Sequence, residues 1–228
     1  MSHTTAALLY QISVWVAPLV LAITLHEAAH GYVARLFGDN TAERLGRVTL
    51  NPFKHVDPFG TVLLPALLML TRAPFLFGYA KPVPVDFSAL RSPKRDSIFV
   101  AAAGPAMNFF LALVSALLFR LLFILPQGVA DWVADNLKNA LLINALLAVF
   151  NLLPIPPLDG GRILVGLLPG ALSRALASLE PFGMMILITA LLFLPWLGAQ
   201  TGLDLNFVWH GVAELTDRIV HAILWIAG

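Results

Sequence analysis

Long apolar runs make up most of the chain, and polar residues come in short clusters between them, so the pattern reads as a path through a bilayer. Leu8 to about Phe37 is long enough to span and ends at Gly38-Asp39-Asn40, residues that favour helix exit. Thr41 to Pro58 is polar and carries Arg44, Arg47 and Lys54. Phe59 to Phe77 is apolar again but interrupted by Pro65, Arg72 and Pro74, and a second basic loop follows with Lys81, Arg91, Lys94 and Arg95. Short basic loops stay cytosolic, so the segment between these two should enter and leave on one side as a re-entrant hairpin. Further runs cover Ile98 to Leu125, Leu137 to about Leu153, Gly183 to Leu197 and Phe207 to Ile226. The loop over 126–136 holds Asp131 and Asp135 without any Lys or Arg and reads as outside, whereas Arg162 and Arg174 mark the stretch after Leu153 as inside. The expected fold is an all-α polytopic membrane protein of about five to six transmembrane helices, with the re-entrant hairpin and short extended strands between the first two core helices. The same signs put the N-terminus outside and the C-terminus in the cytosol.

Composition sharpens this. The chain of 228 residues is 59% hydrophobic and 12% charged, against about one-quarter charged in soluble domains. Its length suits a single domain, residues 1–228, with a core over 8–170 and additional C-terminal helices over 183–226, and leaves too few polar residues for a separate soluble module. The absence of cysteine excludes disulfides and thiolate metal sites, so any metal is held by His and carboxylate oxygen. With no basic n-region and no small-residue cleavage site, the first run reads as a retained helix rather than a signal peptide. The expected setting is the lipid bilayer of a bacterial or archaeal inner membrane, and no nucleic acid or nucleotide is expected as a partner.

Within the first run, His26, Glu27 and His30 spell HEAAH. Residues four apart on a helix share a face, so two imidazoles can aim at one ion while Glu27 stands beside them to handle a water. Ionisable groups at membrane depth cost about 2.5 kcal/mol or more each and usually mark function. A lone buried histidine is more often a hydrogen-bonded core residue, but a pair at this spacing with an adjoining Glu points to metal. His3, His210 and His221 lack ligand spacing, and His55 is read as structural.

A catalytic zinc has three protein ligands and one position left for water. The carboxylate in a comparably apolar setting is Asp159, within the stretch Asn151 to Arg162 that holds Pro154, Pro156, Pro157, Gly160 and Gly161. Such a sequence forbids regular helix, and non-helical backbone at membrane depth is tolerated only in protein or beside a wet cavity. Two readings stand: Asp159 is the third ligand, or it caps a helix that begins near Gly160.

With these residues in hand, the chain resembles the site-2 proteases, the family of intramembrane zinc metalloproteases, over most of Leu21 to Leu164. HEAAH matches the family's HExxH, and Asn151 through Gly161 matches its second zinc motif around Leu158-Asp159-Gly160. Further matches are Asn51-Pro52 with His55, Asp57 to Gly60, Gly78 to Val85, and Gly104-Pro105-Ala106-Met107-Asn108. The resemblance implies one Zn2+ per chain on His26, His30 and Asp159, with Glu27 as general base. It also implies Asn151 as donor to the oxyanion, set against an ordinary interhelical hydrogen bond. Asn108 either contributes to substrate binding or secures close helix packing and a contact behind a ligand. Pro82, Val83, Pro84 and Val85 form either an edge strand that receives an unwinding substrate or an interfacial loop. Unlike larger members, the chain has neither a PDZ nor a CBS domain.

The implied activity is that of a zinc metalloendopeptidase hydrolysing peptide bonds in or near transmembrane segments of membrane-anchored proteins. The alternative is a membrane zinc transporter or sensor without proteolysis. That alternative needs a polar track, and the other apolar runs offer few acidic or His residues.

Overall fold

Small residues fill the centre of the molecule and large apolar ones cover it, the reverse of a soluble core. Ala22, Ala34, Ala112, Ala145 and Ala148 are fully buried, while Leu8, Leu9, Ile12, Phe110 and Phe123 are exposed. Lipid supplies no hydrophobic force between helices, so close approach of small side chains is what packs them. The computed structural model of the chain describes residues 3–63, 67 and 81–228.

Helix α1, His3–Leu36, leads through a short α2, Thr41–Arg44, and an irregular segment over 81–86 to α3, Pro93–Leu118. Helix α4, Gln127–Asn151, turns into the broken stretch before α5, Asp159–Leu167, and α6, Gly170–Ala177. Helices α7, Gly183–Ile188, and α8, Leu194–Thr201, are joined by a π-helical turn at Thr189–Phe193. Helix α9, Phe207–Ala227, ends the chain path. Among the described residues there is no strand. The segment over 81–86 forms neither helix nor strand, and Asp86 at its end is extended.

Among the described residues, four stretches are long and apolar enough to cross a membrane: Thr5–Leu36, Pro93–Ile124, Gln127–Asn151 and Gly170–Thr201. Helix α9 is not among them, and it carries Glu214, Asp217 and Arg218. The expected re-entrant hairpin over 59–77 falls largely on residues outside those described; its first part, Pro58–Leu63, is π-helical.

Polar contacts fix how the helices run. Tyr10 Oη donates to Asp135 Oδ2 at 2.6 Å, Trp132 Nε1 to Ser13 Oγ at 2.9 Å, and Asn139 Nδ2 to the Val14 carbonyl at 2.9 Å. The start of α1 therefore lies beside the start of α4. At that same end, Arg120 Nη2 donates to the Gly228 carbonyl at 2.6 Å, while Ile223 and Ala227 of α9 pack on Ala112, Ala116 and Leu141. The two ends of the path thus sit together, whereas the loop charges predict opposite sides. The cause lies in the sequence: between Arg174 and Arg218 there is no Lys or Arg, so no charge fixes the sense of the last helices.

Candidate active site

The ladder of α1 puts His26 and His30 one turn apart on the face toward α3. Their Nε2 atoms are 3.1 Å apart, and both residues are buried. Each ring is held from behind. His30 Nδ1 lies 2.7 Å from the Val100 carbonyl, which only accepts, so Nδ1 carries the hydrogen and Nε2 presents a lone pair. His26 Nδ1 lies 2.6 Å from Asn108 Oδ1.

Asp159 opens α5. A Cβ at Gly160 would run into the Leu152 carbonyl, and one at Gly161 would run into the Pro156 nitrogen, so only glycine lets this helix start press onto the 152–156 loop. That contact, with Gly166 against Ile98 of α3, swings Asp159 to the histidines. Its Oδ2 is 3.2 Å from His26 Nε2 and 3.4 Å from His30 Nε2. Among the described residues no hydrogen-bond donor reaches that oxygen.

Three electron-pair donors converging on one buried point fit a cation. Tetrahedral zinc at about 2.0–2.2 Å from each ligand sets its ligands about 3.4 Å apart, and the observed separations of 3.1, 3.2 and 3.4 Å match. The wall opposite is Gly104 of α3. A Cβ there would lie 2.6 Å from His26 Nε2 and closer still to His30 Nε2, inside the space the ion needs.

Beside this triad Glu27 accepts the Val83 N–H on Oε2 at 2.7 Å. The segment is also pinned at both ends by loops: Lys81 N donates to the His55 carbonyl at 2.9 Å and Asp86 N to Asp39 Oδ2, just after α1, at 2.8 Å. Gly31 makes room for it, since a Cβ there would meet Val83 Cγ1 at 3.2 Å. The Ser88 hydroxyl and amide hold the Asp86 carboxyl below its ordinary range. His55 is buried with Nε2 against the Thr49 carbonyl at 3.0 Å, a loop-holding role.

Two residues expected at the substrate differ. Asn108 is completely buried and its polar atoms are committed to His26, Asn144 and Ala22, so it stands behind His26 with no free face. Asn151 spends its Nδ2 on the Leu147 carbonyl of its own helix at 3.0 Å. Sequence reasoning passed over Asn144 and the Val100 carbonyl. An asparagine flanked by apolar residues in α4 was the available signal for the first; a backbone group leaves none.

The profile of peptidase family M50 matches residues 14–138 and 123–194. Among curated proteins, YwhC of Bacillus subtilis, named a zinc metalloprotease, is 37% identical over 188 residues, 81% of each chain. Rip2 of Mycolicibacterium smegmatis, also named a zinc metalloprotease, is 33% identical over 177 residues, 78% of this chain and 66% of the relative. The zinc metalloprotease MJ0392 of Methanocaldococcus jannaschii is 25% identical over 150 residues, 66% of this chain and 33% of the relative. No solved structure matches.

Proposed function

The chain belongs to peptidase family M50 and is a zinc metalloprotease, and from that premise we propose that it hydrolyses peptide bonds in or near transmembrane segments of membrane-anchored proteins. The observation that carries this reading is the His26–His30–Asp159 cluster, placed beside a carboxylate inside helices whose outer faces are apolar. His26, His30 and Asp159 would hold the ion, which when bound supplies Lewis-acid activation of water and of the scissile carbonyl.

Glu27 is the general base, taking the proton of the attacking water and passing it to the leaving amine, so no acyl-enzyme on serine is called for. The Val83 N–H on Oε2 aims the carboxylate and leaves Oε1 for that proton. Asn151 is the candidate donor to the developing oxyanion, a role that requires its amide to exchange the Leu147 carbonyl for substrate.

The 82–85 segment receives substrate as an added strand. Pro82 and Pro84 have no N–H, so one edge offers carbonyls alone, and the other carries the amides of Val83 and Val85. The amide edge faces Glu27 through Val83. Arg47 Nη2 holds the Lys81 carbonyl at 2.9 Å. A substrate that pairs main chain to main chain with this segment presents its peptide bonds to the base. The reading also takes 1–228 as one domain in an inner membrane, with the start of α1 outside.

Glu27→Gln tests it. Cleavage of a single-span protein by the purified enzyme should fall by about 10²–10⁴ with zinc still bound. Undiminished proteolysis overturns the proposed base, and zinc transport that survives the change would favour a carrier.

A further inference from the structure

We propose that Asn144 of α4 fixes the tautomer and ring orientation of His26 through Asn108, an amide relay that starts on the Ala140 carbonyl and ends at the metal. The proposal rests on reading His26 as a zinc ligand.

Its direction follows from groups that can act in one way only. The Ala140 carbonyl accepts, so the edge of Asn144 that approaches it at 2.9 Å is the NH2, which turns Asn144 Oδ1 toward α3. Asn108 Nδ2 lies 2.8 Å from that oxygen and 3.3 Å from the Ala22 carbonyl, so its two hydrogens serve two acceptors. The Asn108 oxygen is left for His26 Nδ1 at 2.6 Å. An oxygen there needs a hydrogen from the ring, so Nδ1 is protonated and Nε2 is bare toward Asp159. A flip of Asn108 would set its oxygen against those of Ala22 and Asn144 in a site without water access, since Asn108 is 0% and Asn144 2% exposed.

His30 reaches the same state in one step, on the Val100 carbonyl. Both ligands are therefore grounded on backbone acceptors, His30 directly and His26 through two amides. Partners of this kind set ligand basicity and geometry, and losing one typically costs ~10–100-fold in metal affinity.

Buried asparagines in membrane helices also act as plain interhelical glue. The same helix supplies the comparison: Asn139 is buried too and donates to the Val14 carbonyl at 2.9 Å, without reaching a ligand.

The test is zinc retention against a competing chelator by purified, detergent-solubilised protein, with thermal unfolding of the metal-free form in parallel. Asn144→Leu should weaken zinc binding by ~10–100-fold. Asn144→Asp, which in its neutral form donates to Ala140 and still accepts from Asn108, should stay within about threefold of the parent. Asn139→Leu should lower the unfolding temperature without changing zinc affinity. Equal zinc affinity in Asn144→Leu and the parent overturns the relay, as does an equal loss in Asn139→Leu. Nitrogen-15 spectra of histidine in the metal-free parent give a check independent of any variant: His26 must show the Nδ1–H tautomer, and a dominant Nε2–H form sinks the proposal. A parent that holds no zinc yet shows that tautomer would overturn the metal-site reading and leave the relay standing.

Discussion

The two halves of the metal cluster reach one point by opposite means. His26 and His30 stand on an unbroken helix, where the hydrogen-bond ladder alone puts them one turn apart. Asp159 comes from a stretch interrupted by Pro154, Pro156 and Pro157, and its position is set by what the start of α5 leans on: the Leu152 carbonyl, the Pro156 nitrogen and Ile98 of α3. One half carries its spacing within itself. The other borrows it from neighbours, so it should yield to changes in packing that leave the helical half untouched.

The largest effect is expected where both halves meet a common wall. A Cβ at Gly104 would overlap both Nε2 atoms, and α3 cannot retreat without losing Asn108 and Val100, which hold the rings from behind. Gly104→Ala should take the purified protein from about one zinc per chain to nearly none, with peptidase activity at background. Metal analysis with full zinc occupancy would show that the wall does not define the site.

Gly161→Ala should act on the borrowed half alone. Its Cβ would lie 2.5 Å from the Ile155 carbonyl carbon and 2.8 Å from Pro156 Cα, backbone that cannot swing aside as a side chain does. The start of α5 must shift and carry Asp159 outward, while the imidazoles keep their Asn108 and Val100 partners. Zinc affinity should fall by ~10–100-fold, the range seen when a ligand loses its support. Chelator competition measures this; an unchanged affinity would mean that Asp159 is held by more than its packing.

The same division explains what could be read before the fold was known. The spacing of HEAAH encodes a helical face, so the proposed metal pair and its base follow from five positions in a row. Asp159 follows less directly, from its setting and a matching motif, because no local rule says where a chain broken by proline will point. Asn144 hides among apolar neighbours, and Val100 acts through a carbonyl that every residue possesses. For Asn108, its spacing from Gly104 puts both on one face of α3, yet a substrate contact and a ligand support look alike in a sequence. Helix α9 has two unlike faces: Glu214, Asp217, Arg218 and His221 all lie exposed on the side away from the buried Val212, Thr216 and Ile223. An average over the run hides that division into two faces.

The smallest effect should come from loosening the helical half itself. Ala29 lies between the ligands and is buried, and Ala29→Gly removes a methyl group and frees the backbone, at a cost of about 1 kcal/mol in helix stability. The ladder still sets the one-turn spacing, and each ring is still tied at Nδ1 to a partner on α3, so the Nε2 atoms have no reason to move. The expected result is a lower unfolding temperature with zinc affinity unchanged, the mirror image of Gly161→Ala. If Ala29→Gly costs as much zinc affinity as Gly161→Ala, then the helix does not preorganise the histidines, and both halves of the site depend on packing alike.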